Sequence, residues 1–536
     1  MKNIFKSALL LTAAASLSLT SCIDETQPAG ATVTQGQLSG SDKGLDAMLA
    51  AMPAYMKKVG VWSEYAFDFG YPSIMIGRNL MAGDLMIPYN GYQHFYHYSN
   101  VTRNLDDEYL ISQINWYFYN FAVRTCESLI NTIDPNTDVA YQQSYLAQGI
   151  TYRAALLLDM ARTYEYLPSE ISPINDDGND VTGLTVPVTI PGVTDPDNNP
   201  RMPHNDMRDY LLAQLDEAID LFTKSGVAPA SKNLPSLGVA HSVKARVYMW
   251  DENYPKAAEE ARLAITTSGA QPLTREQFCN TTTGFNDMTP SAWMWGLQIE
   301  PTDDGVGYTG WGSFVISEAD LGYSGLRKCT FTVDKSFYES IPDADWRKLL
   351  WKAPSGSALS GQEPFFSAAK GATLDPYNTI KFRPGQGVTN DFYTTFAVAI
   401  PLMRVEEMYL IEAEALAHTS YSEGKSALDK FVQTYRYAEY INPATDQESL
   451  INECFKQKSI ELWGEGQTFF DVKRLNVSVT RAYPGTNWPT TSRFNTVGRP
   501  GWTTWPFVDY ESQFNKGCEG WGNPNIGNRF TSLDNI

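Results

Sequence analysis

Small residues recur at helical spacing between positions 237 and 269, and this pattern constrains the fold more than any other feature of the sequence. The segment reads LGVAHSVKARVYMWDENYPKAAEEARLAITTSG. Ala245 lies in its first half, and Ala257, Ala261 and Ala264 share one helical face of its second half. Short side chains on these faces let two antiparallel helices approach closely. The segment therefore predicts a helical hairpin.

A second segment of the same kind, residues 404–436, reads RVEEMYLIEAEALAHTSYSEGKSALDKFVQTYR. Its small positions are Ala413, Ala415, Ala417 and Ala427. Helical hairpins of about 34 residues with small residues at the contact are typical of tetratricopeptide repeats. Since one hairpin cannot bury its apolar face alone, it must stack on other helices. We therefore predict a mostly α fold with a scaffold of tetratricopeptide-like hairpins.

Long helical patterns at 108–133 and 139–168 supply stacking partners for these hairpins. The rest of the chain has a different composition. Segments 168–202 and 281–402, and the C-terminal region, are rich in glycine, proline and polar residues. Such long irregular segments are usually functional or disordered. Because no linker divides the chain, we expect a single domain over residues 45–536, with a large loop-rich part beside the helical scaffold.

The first 21 residues are typical of a signal peptide. Lys2 and Lys6 precede an apolar run at 8–19, which is shorter than the roughly 20 residues that cross a membrane. The sequence LTSC, which ends at Cys22, resembles a bacterial lipobox. That resemblance implies cleavage before Cys22 and lipidation of this residue. The alternative is an ordinary secretory peptide with an incidental cysteine.

The segment after the cysteine predicts how the protein is displayed. Residues 22–44 are small and polar, which favours a flexible tether. Asp24 and Glu25 resemble the acidic tract of surface-exposed lipoproteins in Bacteroidetes-type bacteria. This similarity implies a lipid anchor in the outer membrane, with the folded part facing the cell exterior.

Charge and cysteine content exclude several other classes of protein. The chain of 536 residues has a formal net charge of −20, which disfavours a nucleic-acid partner because phosphate binding requires clustered lysine and arginine. Five cysteines besides Cys22 are widely spaced, and no CxxC occurs. They suggest neither a disulfide framework nor a zinc site. We expect no metal and no cofactor.

Five features, taken in order, resemble the SusD/RagB family. The first is the lipobox, and the next three are NWYFYNFAVRTCESLIN, YRAALLLDMARTYEYLP and MRVEEMYLIEAEALA. The fifth is KSIELWGEGQTFFDVKRLN, where the family series is matched by Glu461, Leu462, Glu465, Gly466, Phe470, Asp471 and Arg474. The sequence departs from the family pattern at Glu165, at Gln457 and Lys458, and at Gln467.

The resemblance implies a non-catalytic lipoprotein of the cell surface. Such a protein captures oligosaccharides or polysaccharide and delivers them to a SusC-like TonB-dependent transporter. Some members of the family serve peptide uptake, so a peptide ligand is an alternative with the same fold. A secreted helical glycoside hydrolase is an alternative of a different class.

Two stretches of the sequence have the composition of a sugar-binding surface. Flat aromatic side chains cover the apolar faces of sugar rings at low entropic cost, and polar neighbours can bind the hydroxyls. The stretches are RNLMAGDLMIPYNGYQHFYHYSN and TDDGVGYTGWGSF, and the family resemblance implies a ligand platform at the same places. Gly310 and Gly312 flank Trp311, which predicts that the indole stands out from its loop. The predicted ligand-binding residues are Arg78, Asp84, Tyr89, Asn90, Tyr92, Tyr96, Asn100, Tyr308, Trp311 and Phe314.

Catalysis by a glycoside hydrolase would require two suitably spaced carboxylates. The candidates lie in amphipathic helices beside core residues, which favours structural ion pairs over catalysis. His94 and His97 share turn spacing, but no HExxH motif accompanies them. We therefore expect no enzymatic activity. The carboxylates considered are Glu406, Glu407, Glu412, Glu414, Glu461 and Glu465.

Overall fold

The computed structural model describes residues 41–92, 94–101, 105–189, 195–526 and 529–533. The chain divides into two units, residues 1–47 and 48–536. The described part of the first unit is the beginning of the first helix, so the last residues of the predicted tether, 42–44, are helical. The predicted signal peptide and Cys22 lie outside the described residues.

Helices dominate the described part of the chain, as the sequence predicts. In chain order they are α1 (Asp42–Met56), α2 (Tyr71–Ala82), α3 (Tyr96–Ser99), α4 (Leu110–Ile130), α5 (Ala140–Tyr164), α6 (His204–Ser225), α7 (Leu237–Trp250), α8 (Tyr254–Ser268), α9 (Arg275–Cys279), α10 (Trp311–Val315), α11 (Lys335–Glu339), α12 (Ala368–Ala372), α13 (Phe392–Thr395), α14 (Val405–Thr419), α15 (Tyr421–Tyr435), α16 (Gln447–Glu461), α17 (Thr468–Arg474) and α18 (Asp509–Phe514). Among these described helices, none is both long and apolar enough to cross a membrane.

The two predicted hairpins are confirmed as α7–α8 and α14–α15. Helix α8 packs against α14, so the hairpins stack on each other. Ala257, Ala261 and Ala264 of α8 are fully buried. A Cβ atom on Gly424 would lie 2.4 Å from the Cα of Ala417, which shows how closely α15 approaches α14. Helices α4, α5 and α6 extend the stack on the other side of α7.

Short strands hold the loop-rich part together and join it to the scaffold. Strand β2 (Trp293–Gln298) pairs antiparallel with β4 (Ala399–Arg404), and β4 runs directly into α14. Strand β1 (Leu85–Met86) pairs antiparallel with β3 (Thr332–Val333), with Leu85 opposite Val333. The β1–β3 pair brings the loop after residue 86 next to the segment that precedes residue 332, although almost 250 residues separate them along the chain.

Candidate functional site

Aromatic side chains from the two stretches selected in the sequence meet around Tyr323. The ring of Tyr323 is half-buried, and its centroid lies 6.5 Å from Tyr92, 5.5 Å from Tyr308 and 4.8 Å from Phe314. His94 packs edge-on against the same ring at 4.5 Å. We call these five residues the aromatic platform. The β1–β3 pairing places its two halves side by side.

Phe314 forms the base of the platform. It is buried in α10 and stacks nearly parallel to Tyr323, with an interplanar angle of 20°. Below it, Phe95 meets the Phe314 ring edge-on at 5.0 Å, and Phe69 stacks on it at 5.6 Å. This packing fixes the position of Tyr323 before any ligand arrives, but it leaves Phe314 itself without an exposed face.

Tyrosines line the exposed edge of the platform. The exposed fraction is 41% for Tyr92 and 36% for Tyr308, and Tyr89 is more exposed still at 65%. Asn90 donates a hydrogen bond from Nδ2 to the carbonyl oxygen of Arg327 at 2.9 Å, and the Arg327 guanidinium lies 5.1 Å from the Tyr92 ring centre. Flat rings and adjacent polar groups therefore share one surface, which suits the faces and hydroxyls of a sugar.

The prediction that Trp311 stands out from its loop is wrong. Its side chain is only 2% exposed, and it meets Phe382 edge-on with centroids 5.4 Å apart. The flanking glycines serve close packing instead of exposure. A Cβ on Gly310 would lie 2.0 Å from the carbonyl oxygen of Gly305, and one on Gly312 would lie 2.7 Å from the Phe396 ring.

Arg78 and Asp84 also lie away from any exposed surface, which corrects the expectation that they line a ligand loop. Helix α2 is buried along its whole length, and Arg78 Nη1 pairs there with Asp159 Oδ2 at 3.1 Å while its guanidinium covers the Phe470 ring. Asp84 is buried, and burial raises the pKa of its carboxyl to about 7. Both residues support the loop instead of extending from it.

Tyr96 and Asn100 occupy the short helix α3 and its C-terminal end, and both are half-buried. The Tyr96 ring packs against His97 at 3.8 Å. Burial lowers the pKa of His97 to about 4, so that imidazole is neutral at pH 7. Within the described residues, no group of three or more histidine, cysteine or carboxylate side chains could hold a metal ion.

The sequence analysis missed several residues of this surface. Tyr323 lies in the segment GYSGL, whose glycine-rich texture resembles that of the two selected stretches, and this was the available signal. Phe392 packs against Tyr308 at 5.4 Å. Its neighbour Tyr393 is 64% exposed. Helix α13 thus adds aromatic area beside Tyr308.

The carboxylates considered for catalysis are engaged in ion pairs. Glu461 is fully enclosed, with arginine nitrogens of Arg436, Arg404 and Arg347 at 2.7, 3.2 and 3.1 Å. Burial alone would raise the pKa of Glu461, but Arg436 and Arg404 outweigh it and hold the pKa well below the usual range. A general acid needs the opposite shift. Glu412, at the surface, pairs with Arg262 at 2.7 Å.

Comparison with known proteins agrees with the family resemblance found in the sequence. The SusD family model matches residues 377–513, a segment that runs from the loop-rich part through α14–α17 into α18. No curated protein matches the sequence.

Several solved structures share the fold. A SusD-like carbohydrate binding protein from Bacteroides vulgatus has a TM-score of 0.68 at 19% identity, with 90% of this chain and 98% of that chain covered. A SusD superfamily protein from Bacteroides thetaiotaomicron has a TM-score of 0.64 at 18% identity, with 88% and 98% covered. A SusD superfamily protein from Parabacteroides distasonis has a TM-score of 0.64 at 16% identity, with 91% and 98% covered.

Proposed function

We propose that this chain belongs to the SusD/RagB family, whose model matches residues 377–513, and that it is a non-catalytic binding protein which captures oligosaccharides at the cell surface. In this proposal the captured glycan passes to a SusC-like TonB-dependent transporter. The observation that carries the proposal is the aromatic platform around Tyr323. Its exposed tyrosines and adjacent polar groups are the chemistry that a sugar ring requires.

The geometry of the platform favours a rigid, pre-organised binding surface. Tyr323 is fixed from below by Phe314, and Tyr308 is held between Tyr323 and Phe392. Because these rings lose little freedom on binding, most of the contact energy remains available for affinity. The ion-paired state of Glu461 and Glu412 favours a binding role over glycoside hydrolysis.

Anchoring completes the proposal. Residues 1–21 would be removed, Cys22 would carry lipid, and the segment to residue 44 would connect the anchor to a single domain at 45–536. One structural neighbour, from Bacteroides vulgatus, is a SusD-like carbohydrate binding protein, which supports the glycan ligand for this chain. Family membership supports the transporter partner.

Titration calorimetry against a panel of oligosaccharides tests the proposal. We expect at least one glycan to bind, and Tyr323→Ala to weaken it by about 2 kcal/mol or more, roughly 30-fold, as for other aromatic residues central to a binding surface. Tyr510→Ala is the matched control, because Tyr510 is a 44% exposed tyrosine of α18 outside the platform. The Tyr510→Ala variant should bind the glycan with the same affinity as the parent protein.

Two outcomes would contradict the proposal. Binding of peptides, with no glycan bound, would establish the peptide-uptake alternative. Release of new reducing ends from a bound glycan, lost in a Glu461→Gln variant that remains folded, would establish a hydrolase.

A further inference from the structure

A cavity of about 220 Å³, lined by apolar and charged side chains, lies between the helical scaffold and α17, and it shares no residue with the aromatic platform. The C-terminal end of α5 contributes Arg162, α7 contributes Trp250, and α17 contributes Phe470 and Lys473. His204 at the beginning of α6 lies at its rim, with a quarter of its side chain exposed. The cavity is therefore open to solvent at one side and buried at the other.

Arg162 presents unused hydrogen-bonding capacity to this cavity. Its guanidinium carbon lies over the Phe470 ring, 3.7 Å from the centroid, and Nη2 pairs with Asp159 at 2.5 Å. The residue is only 9% exposed. Among the described residues, Nη2 is the nitrogen of this guanidinium that makes a hydrogen bond. Nε is itself enclosed, so Nη1 is the nitrogen that remains for an acceptor from outside the chain.

Lys473 adds a second cation to the same wall. Its Nζ donates to the carbonyl oxygens of Arg162 and Thr163 at 2.9 and 3.2 Å, which leaves a third N–H when the amine is charged. Burial lowers the pKa of this amine to about 7. A bound anion would stabilise its charged form.

The carboxylates around the cavity have hydrogen-bonding or ion-pair partners, apart from Glu252, which is exposed at the rim. Glu165 accepts from His204 Nδ1 with one oxygen and from Trp250 Nε1 with the other, both at 2.7 Å. Glu407 is held by Arg246 in a two-point contact at 2.7 and 2.6 Å. At the buried end of the cavity, the groups that can still form hydrogen bonds are therefore donors. They match a ligand that is rich in acceptors.

The cavity is larger than the volume of the waters that would be needed to satisfy its spare donors. At about 30 Å³ for each water, its volume corresponds to roughly seven waters, whereas one or two would satisfy Arg162 and Lys473.

We propose that this cavity is a second binding site, which takes one small carboxylate-bearing ligand of monosaccharide size, an acidic sugar. The carboxylate accepts hydrogen bonds from Arg162 and Lys473 at the buried end. The hydroxyl-bearing ring occupies the remaining volume next to Trp250. This inference goes beyond the proposed glycan capture, since neither site contains a residue of the other.

Titration calorimetry with D-glucuronate as the probe tests the site. We expect one equivalent to bind, and D-glucose and inorganic phosphate to bind at least tenfold more weakly, because glucose lacks the carboxylate and phosphate leaves the volume empty. Lys473→Met should reduce glucuronate affinity at least tenfold. This variant is expected to fold, since it replaces a buried charge that has no carboxylate partner in the described structure. A thermal melt checks the folding.

A second variant and a control make the test specific to the cavity. Leu167→Trp narrows the cavity from its half-exposed rim and should also abolish glucuronate binding. Tyr323→Ala, in the aromatic platform, should leave glucuronate binding unchanged. A failure of the glycan-capture proposal can therefore be distinguished from a failure of the cavity proposal. Three results would overturn the assignment. The first is that phosphate binds as tightly as glucuronate. The second is that glucuronate still binds to both the Lys473→Met and the Leu167→Trp variants, and the third is that millimolar glucuronate does not bind at all.

Discussion

Replacing Trp311 with alanine should destabilise the fold while leaving the exposed tyrosines of the platform in place. The side chain is 2% exposed and packs edge-on against Phe382. Truncation of a buried tryptophan costs about 3–5 kcal/mol, through lost burial and the cavity that remains. The edge-on ring pair accounts for about 0.5–1.5 kcal/mol beyond burial. We therefore expect a loss of unfolding free energy within the range for buried tryptophan.

Urea denaturation followed by tryptophan fluorescence and circular dichroism measures this loss. Trp62→Ala is the matched control, because Trp62 is 43% exposed and stacks at the surface on Tyr117 at 4.0 Å. That variant should lose no more than about 1.5 kcal/mol. The burial argument would be refuted if Trp311→Ala lost less than about 1 kcal/mol of unfolding free energy and also no longer bound glycan. Trp311 would then be a ligand contact.

Three further predictions concern other parts of the chain. Cys22→Ala should release the protein from the outer membrane in cell fractionation, and equal membrane retention would contradict lipidation. Glu461→Gln should cost about 3–5 kcal/mol of unfolding free energy in urea melts, because Arg347, Arg404 and Arg436 lose their shared carboxylate; an unchanged midpoint would contradict this. The pKa of Asp84 is raised from an unfolded value of about 3.9 to about 7 in the fold, so its ionisation destabilises the fold increasingly from pH 4 to pH 7. Asp84→Asn should accordingly raise the melting temperature at pH 8 but not at pH 4, and an equal effect at both values would contradict the titration.

The helical scaffold could be predicted because its signals are local. The alanines of α8 repeat within one helix, and close packing against the neighbouring helices α7 and α14 requires only that their side chains be small. Ala413 and Ala417 repeat in the same way on the partner helix. Such periodicity identifies a buried helical face without any knowledge of what covers it, so the hairpins were confirmed.

The role of individual residues in the loops could not be predicted in the same way. A glycine next to Trp311 is compatible with a protruding loop, but it is equally required where the backbone of Gly305 approaches closely. Arg78 belongs to a stretch with the composition of a ligand loop, yet its partner Asp159 lies 81 residues away. Burial of these side chains is decided by distant segments, on which local composition carries no information.

The convergence of the platform depends on tertiary pairing. Tyr92 and Tyr323 meet because β1 pairs with β3 and because Phe314 stacks beneath Tyr323. Strands of two residues, such as β1 and β3, give almost no periodic signal in a sequence. The two stretches could therefore be selected by composition, whereas Tyr323, which joins them, could not.

A crystal structure of the protein with its tightest-binding oligosaccharide tests the central claim most directly. The account predicts an intact glycan whose ring faces lie within about 4–4.5 Å of Tyr308 and Tyr323, the distance of apolar contact, with hydroxyls near Asn90 and Arg327. An oligosaccharide bound elsewhere on the surface, or one cleaved in the crystal, would contradict it.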